Sequence, residues 1–238
     1  MHFNSNTLRR HTIHTTFAAV LVSSVVFPAV AMADEEEEHF DVWFRDVDGQ
    51  IVTGSRFEDF SIRSQYERVF GGEFGEDPLF PFNADEPGFQ AFDFAPGTSF
   101  RVNATDALGV WNGGGFDLAD ETMGVAFEGS SFTTGVGPVN GFTFDTDSDG
   151  DLHDHFELTL NGASGNDPDV GIYLLSLSVG YDGDPASFSD PFFFVMNLGE
   201  DEASHEAAID WVNANLVPTP GGLLLLGAAG LMGRRRRD

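Results

Sequence analysis

The chain has 238 residues, with 39 acids against 11 basic residues, all of them arginine, for a net charge of −28. That field repels nucleic acid and anionic membrane surfaces, which excludes both as partners, and it draws cations to the surface. Cysteine is absent, which removes disulfides, thiolate metal sites and cysteine catalysis and leaves imidazole and carboxylate as the metal donors.

At the N-terminal end, Arg9 and Arg10 precede the apolar run FAAVLVSSVVF (Phe17–Phe27), and Ala31-Met32-Ala33 supplies an A-x-A cleavage box before Asp34. These parts in this order predict a secretory signal peptide over residues 1–33, removed by signal peptidase, so that a mature chain starts at Asp34. Residues 34–217 then form one domain of sufficient size for a proper core. Within it five arginines stand against 38 acids, a net charge of −33. Life in salty water accounts for such a surface, because repulsion is screened over about 3 Å at 1 M salt.

Through the domain, apolar residues alternate in short runs bounded by Gly, Asp, Asn and Pro. In HFDVWFRDV (39–47), Phe40, Val42 and Phe44 alternate with His39, Asp41, Trp43 and Arg45. Residues 71–97, rich in Pro, Gly and acids, read as a long ordered loop. TSFRVNAT, TMGVAFEG, FTFDTD, HFELTLN, GIYLLSLSVGY and DPFFFVMNLG follow as further strands. The pattern predicts an all-β fold, an antiparallel β-sandwich of jelly-roll or immunoglobulin-like type. The 25 phenylalanines suit a thick two-sheet core.

Between two of these runs, Asp145, Asp147, Asp149, Gly150 and Asp151 match the start of a calcium loop, in which alternating carboxylates converge on a hard cation. The twelfth loop position is Phe156, where a bidentate glutamate belongs, and the flanks read as strands. A loose β-loop calcium site and a solvated Asp-Gly hairpin turn both fit. Near the end of the domain, EDEASHEAAIDWVNANL (200–216) places Ala207, Ala208, Trp211, Val212 and Leu216 near helical spacing, with acids in the first turn. One amphipathic helix packed on the sandwich is expected.

The last segment, 218–238, combines Pro218-Thr219-Pro220, a 13-residue apolar run (Gly221–Gly233) and the cluster Arg234, Arg235, Arg236 and Arg237. As a helix the run measures roughly 20 Å, short of the ~30 Å hydrocarbon core, and the arginines supply a cytoplasmic stop. This tail resembles the PEP-CTERM sorting signal of Gram-negative bacteria, with threonine where that family has glutamate. The resemblance implies an exosortase-type sorting enzyme as a partner during export, transient inner-membrane association through the apolar segment, and delivery to the cell surface or extracellular matrix.

The domain contains four histidines, His39, His153, His155 and His205, each with a carboxylate within two positions. Residues 153–161 read as one strand, with His153, His155 and Glu157 on its polar face, as His39 and Asp41 share theirs. Paired imidazoles on one strand face can hold one ion, with zinc favoured and nickel or copper competing. Four ordinary surface histidines in an acidic protein fit the same spacing. Ser204-His205-Glu206 diverge around a helix instead of forming a relay, and no G-x-S-x-G elbow occurs, so no enzyme is expected.

The pieces HFDVW, VFGGEFGEDP, DEPGFQA, VWNG, GDLHDHFELTLN, GIYLLSLSV and SHEAAIDWVNANL resemble a PEP-CTERM subfamily repressed by the zinc uptake regulator. That resemblance implies extracellular zinc binding, for acquisition or storage, through His39, His153, His155 and His205. Asp41, Glu157 and Glu206 would serve as supporting or substitute ligands. A structural or adhesive matrix protein with no dedicated metal site is the alternative.

Overall fold

Alternating apolar patterns become strands along most of the computed structural model, which describes residues 40–218. The signal segment with Ala31 and Ala33, His39, and the tail from Thr219 through Pro220 to Arg234–Arg237 lie outside the described residues. The first hairpin joins β1 (Phe40–Val47) to β2 (Gln50–Phe57). Asp48 and Gly49 form its turn, both at positive φ (56° and 87°), the geometry whose twist matches the flanking strands.

Four short strands follow: β3 (Ile62–Ser64), β4 (Val69–Glu73), β5 (Asn83–Ala84) and β6 (Phe89–Ala91). The middle of the chain supplies β7 (Ser99–Ala104), β8 (Gly109–Trp111), β9 (Phe116–Leu118), β10 (Thr122–Phe127) and β11 (Ser130–Thr133). Then come β12 (Val139–Asp145), β13 (Leu152–Asp154), β14 (Glu157–Asn161), β15 (Gly171–Tyr181) and β16 (Phe192–Leu198). One helix, α1 (Glu202–Asn215), ends the series. It is not long and apolar enough to cross a membrane.

The strands make a five-stranded sheet (β13-β6-β1-β2-β3), a four-stranded sheet (β11-β10-β14-β5) and a seven-stranded sheet. The last runs β12-β7-β15-β16-β4, with β8 and β9 attached beside β15. The expected all-β, sandwich-like fold with a single helix near its end is what forms. The antiparallel expectation needs amending, because β1 pairs with β6 and β16 with β4 in parallel. Both partners arrive over long connections instead of hairpins, which is what parallel neighbours require.

Phenylalanine side chains fill the space between the sheets. Phe44, Phe70, Phe89, Phe100, Phe156, Phe192 and Phe194 are each under 2% exposed, and each such burial contributes about 1.5–3 kcal/mol. Phe156 sits at the hub, with ring centroids 4.2 Å from Phe89, 4.9 Å from Phe127, 5.1 Å from Phe144 and 5.4 Å from Phe142. β15 is buried along nearly its whole length, as its unbroken apolar sequence requires of a strand covered on both faces. Tyr173, Leu175, Leu177 and Val179 enter the phenylalanine core. Ile172 and Leu174 join Val69, Phe193, Val195, Ala208 and Val212 in a second cluster under α1.

Three local expectations change. Residues 71–97 carry the end of β4 and all of β5 and β6. These pieces are two to five residues long, too short to impose a visible period against Pro and Gly. Residues 153–161 are not one strand: β13 belongs to the five-stranded sheet and β14 to the four-stranded one, and the chain crosses between them at His155–Phe156. In α1 the inward residues are His205, Ala208 and Val212, while Ala207 faces solvent.

The outer face of β1 is covered as well. Trp43 is 8% exposed because the guanidinium groups of Arg56 and Arg45 lie over its ring, at 4.2 Å and 4.7 Å. The stack continues from Arg45 to Tyr66 (4.9 Å) and from Arg56 to Phe92 (4.7 Å). Burial pulls the Arg56 guanidinium below its ordinary pKa, against the raising effect of Asp93.

Candidate metal centre

Asp41 is a carboxylate on a strand whose two faces are both covered, and it is 1% exposed. Burying such a charge is costly unless it is hydrogen-bonded. Gly88 N–H donates to its Oδ1 (2.9 Å) and Gln90 Nε2 to its Oδ2 (2.6 Å). Parallel pairing of β1 with β6 sets Gln90 beside Trp43, and antiparallel pairing of β6 with β13 sets it beside His153. The three strands therefore bring Asp41 and His153 to one place, with His153 Nε2 3.2 Å from Asp41 Oδ2. Gln90 Oε1 is left buried with no hydrogen-bond partner, a cost of about 1–3 kcal/mol accepted in a residue that orients the carboxylate.

His155 follows where the chain leaves β13. Its Nδ1 lies 3.1 Å from the Asp85 carbonyl and 3.2 Å from Glu86 Oε1. A carbonyl only accepts, so Nδ1 carries the proton in that contact and Nε2 keeps its lone pair. The His153 and His155 rings are 5.6 Å apart. Phe60, in the hydrogen-bonded turn after β2 with a left-handed backbone (φ 65°), packs edge-on to His153 at 5.2 Å. The side chains of His153 and His155 are 36% and 34% exposed, so an ion reaches them from solvent.

One donor atom each from Asp41, His153 and His155 falls within 4.8 Å of the other two. Tetrahedral zinc with bonds of about 2.0–2.1 Å holds its ligands about 3.3 Å apart, so small side-chain rotations close the set. Two imidazoles and one carboxylate leave a fourth position open, the pattern of accessible zinc sites, and the same donors suit ferrous iron. Gly88 is required by the packing here. A Cβ on it would lie 2.7 Å from Asp41 Oδ1, 3.0 Å from His155 Cε1 and 3.1 Å from its Nδ1.

Beside His155 opens a cavity of about 360 Å³ lined by Glu73, Glu76, Asp77, Asp85, Glu86 and Glu157. Such a concentration of one charge sign raises the local cation concentration. The Asp154 carboxyl, next to both imidazoles, is pushed up by burial first and by Glu128 second, with His153 and His155 pulling the other way.

The four-histidine cluster does not form as a unit among the described residues. His205 is buried against β16, with Nε2 2.8 Å from the Val195 carbonyl, in a separate group with Glu73 and Glu202. Glu157 lines the cavity, where its Oε1 accepts from Asn83 Nδ2 (2.6 Å), and is not one of the converging donors. Glu206 is exposed on the helix and belongs to neither group.

Asp145, Asp147, Asp149 and Asp151 also fail to converge. The Asp147 carboxylate turns inward on its own loop and accepts from Asp149 N–H (2.8 Å) and Asp151 N–H (3.0 Å). These amide bonds, Asp151 foremost, hold its carboxyl below the usual range. The geometry is that of a side-chain-closed turn, with Gly150 at φ 90° where a Cβ would strike the Phe94 carbonyl at 1.9 Å.

Reasoning from sequence missed Gly88, Gln90, Glu73 and Glu202. Only Glu202 had a local signal, since it precedes His205 by three and thus shares its helix face. No family model matches the chain, and no curated protein matches it.

Proposed function

We propose that this is an exported, cell-surface protein that binds a divalent transition metal, zinc foremost, through Asp41, His153 and His155. The observation that carries the reading is the buried Asp41 carboxylate. It is fixed by Gly88 N–H and Gln90 Nε2, and its Oδ2 stands 3.2 Å from His153 Nε2 with His155 completing the set. A carboxylate held by other groups and aimed at two solvent-accessible imidazoles has the supporting contacts that metal ligands characteristically have. The acid-lined cavity beside His155 gives a cation an approach and a second set of oxygen donors. Export and surface sorting rest on the signal-like N-terminal segment and the PEP-CTERM-like tail, and zinc over its competitors rests on the donor set and the family resemblance.

The test is metal titration of the full chain against a competing chelator, with zinc and ferrous iron in parallel. Zinc binds the wild type tightly at neutral pH, and acidification weakens it because protons compete for the imidazoles. His153→Ala/His155→Ala lowers zinc affinity at this site by about 100-fold or more, beyond the 10–100-fold typical of losing an outer contact. Unchanged zinc affinity at this site in that variant refutes the assignment. Preference for iron would move the protein to a different metal class.

A further inference from the structure

The groove between α1 and β4 carries its own donor set. Glu73 ends β4, while Glu202 and His205 lie one helical turn apart at the start of α1, and one donor atom from each falls within 4.8 Å of the others. We infer that Glu73, Glu202 and His205 form a second divalent-cation site, distinct from the Asp41–His153–His155 site, whose ion fastens the C-terminal helix to the sheet.

His205 and Glu73 are held from behind. His205 is 5% exposed, and the Val195 carbonyl can only accept, so Nε2–H donates to it and Nδ1 carries the lone pair. That is the arrangement in which a ligating histidine is found, one nitrogen donating to a backbone carbonyl and the other facing the ion. Glu73 Oε1 accepts from Nδ2 of the buried Asn197 (3.0 Å), whose other contacts are the backbone of Glu200 just ahead of the helix. The residues that position the ligands are thus part of the chain that leads β16 into α1. Gly71 lets the helix approach closely: a Cβ there would lie 3.0 Å from Ile209 Cδ1, while the imidazole stays at ordinary contact (Cε1 3.5 Å).

Electrostatics supports a doubly charged guest. The N-terminal end of α1 presents roughly half a positive charge, which opposes a cation, but two carboxylates of the site and the capping Asp201 outweigh it. One imidazole with two carboxylates is a harder donor set than the first site offers, so zinc binds it more weakly of the two, and manganese competes better here. Glu73, Glu76 and Glu86 line both this groove and the cavity beside His155. The two sites thus share part of their carboxylate surroundings.

This site stands whether or not the first one binds, and the experiment separates them. Zinc stoichiometry of the full chain is measured together with hydrogen exchange of the α1 amides, for the wild type, for Glu73→Gln/Glu202→Gln and for His153→Ala/His155→Ala. Both glutamates are at least partly exposed, so the isosteric amides leave the fold intact. The wild type takes up two ions and zinc slows exchange in the first turns of α1. The glutamine variant takes up one ion and loses that protection; the alanine variant also takes up one but keeps it. Two ions in the glutamine variant, or α1 exchange indifferent to zinc in the wild type, overturns the inference. A single wild-type ion lost only with the histidines overturns it too, while one lost only with the glutamates upholds it and removes the first site instead.

Discussion

Gly88→Ala tests the metal centre without touching a ligand. Its φ lies outside the left-handed region, so alanine is acceptable to the backbone, and the N–H that holds Asp41 remains. The added Cβ, however, would lie 2.7 Å from Asp41 Oδ1 where ordinary contact begins at 3.4 Å, and it would press on the His155 ring at 3.0 Å. The carboxylate or the backbone must therefore retreat by roughly 0.7 Å, the difference between those two figures, and a site needs its ligands held within about 0.5 Å. Displacement of that size corresponds to losing an orienting contact, which costs about 10–100-fold in metal affinity, or about 1.4–2.8 kcal/mol. Competitive chelator titration with zinc reads the change directly. Gly137→Ala, whose Cβ would meet nothing within 4 Å, serves as the control and binds as the wild type does. Wild-type zinc affinity at the first site in Gly88→Ala would show that Asp41 and His155 are not ligands, since no ion shared by them could ignore the collision.

The phenylalanine hub sets the stability of the domain. Phe156→Ala removes a ring with four aromatic neighbours and 1% exposure, so urea unfolding should show a loss of about 3–5 kcal/mol; a loss under 1 kcal/mol would mean the core collapses around the gap. Tyr173 and Tyr181 are both pushed well above the ordinary phenol value, each by burial first, then by Glu121 for Tyr173 and by the hydrogen bond to Asp46 for Tyr181. Raised folded-state values mean that this contribution to stability is full below about pH 10 and declines as pH climbs past it. Phenolate absorbance should accordingly show two of the three tyrosines ionising late, with Tyr181→Phe removing one of them; ordinary titration of both in the folded protein would contradict the burial argument.

The parts of the fold legible in sequence were those with a long period. β15 was readable from its eleven-residue apolar run, β7 and β10 from strict alternation, and α1 from its charge and spacing. Lost to the reading were β5 and β6, whose two and three residues give no period at all, although β6 supplies Gln90 and lies beside Gly88. The site was half legible for the same reason. His153 and His155 were evident as a pair, and Asp41 as a carboxylate on a strand. Their meeting depends on β6 lying between β1 and β13, a long-range arrangement that no local pattern encodes. His205 was grouped with the strand histidines, whereas α1 carries it to Glu73, Glu202 and the Val195 carbonyl. A histidine whose Nε2 donates to a strand carbonyl can face inward at little cost, and the helix turns accordingly.

The arginine stacks on the outer sheet have a consequence for proteolysis. The chain has no lysine, so a trypsin-like protease can cut the domain only after one of five arginines. Arg45 and Arg56 are pinned over Trp43, Arg63 lies on Phe40, Arg68 is bonded to the Pro191 carbonyl, and Arg101 is paired with Asp182. Arg45, Arg56, Arg68 and Arg101 are at least partly buried while the domain is folded, whereas Arg63 is exposed on β3, so the first cut by such an enzyme falls after Arg63.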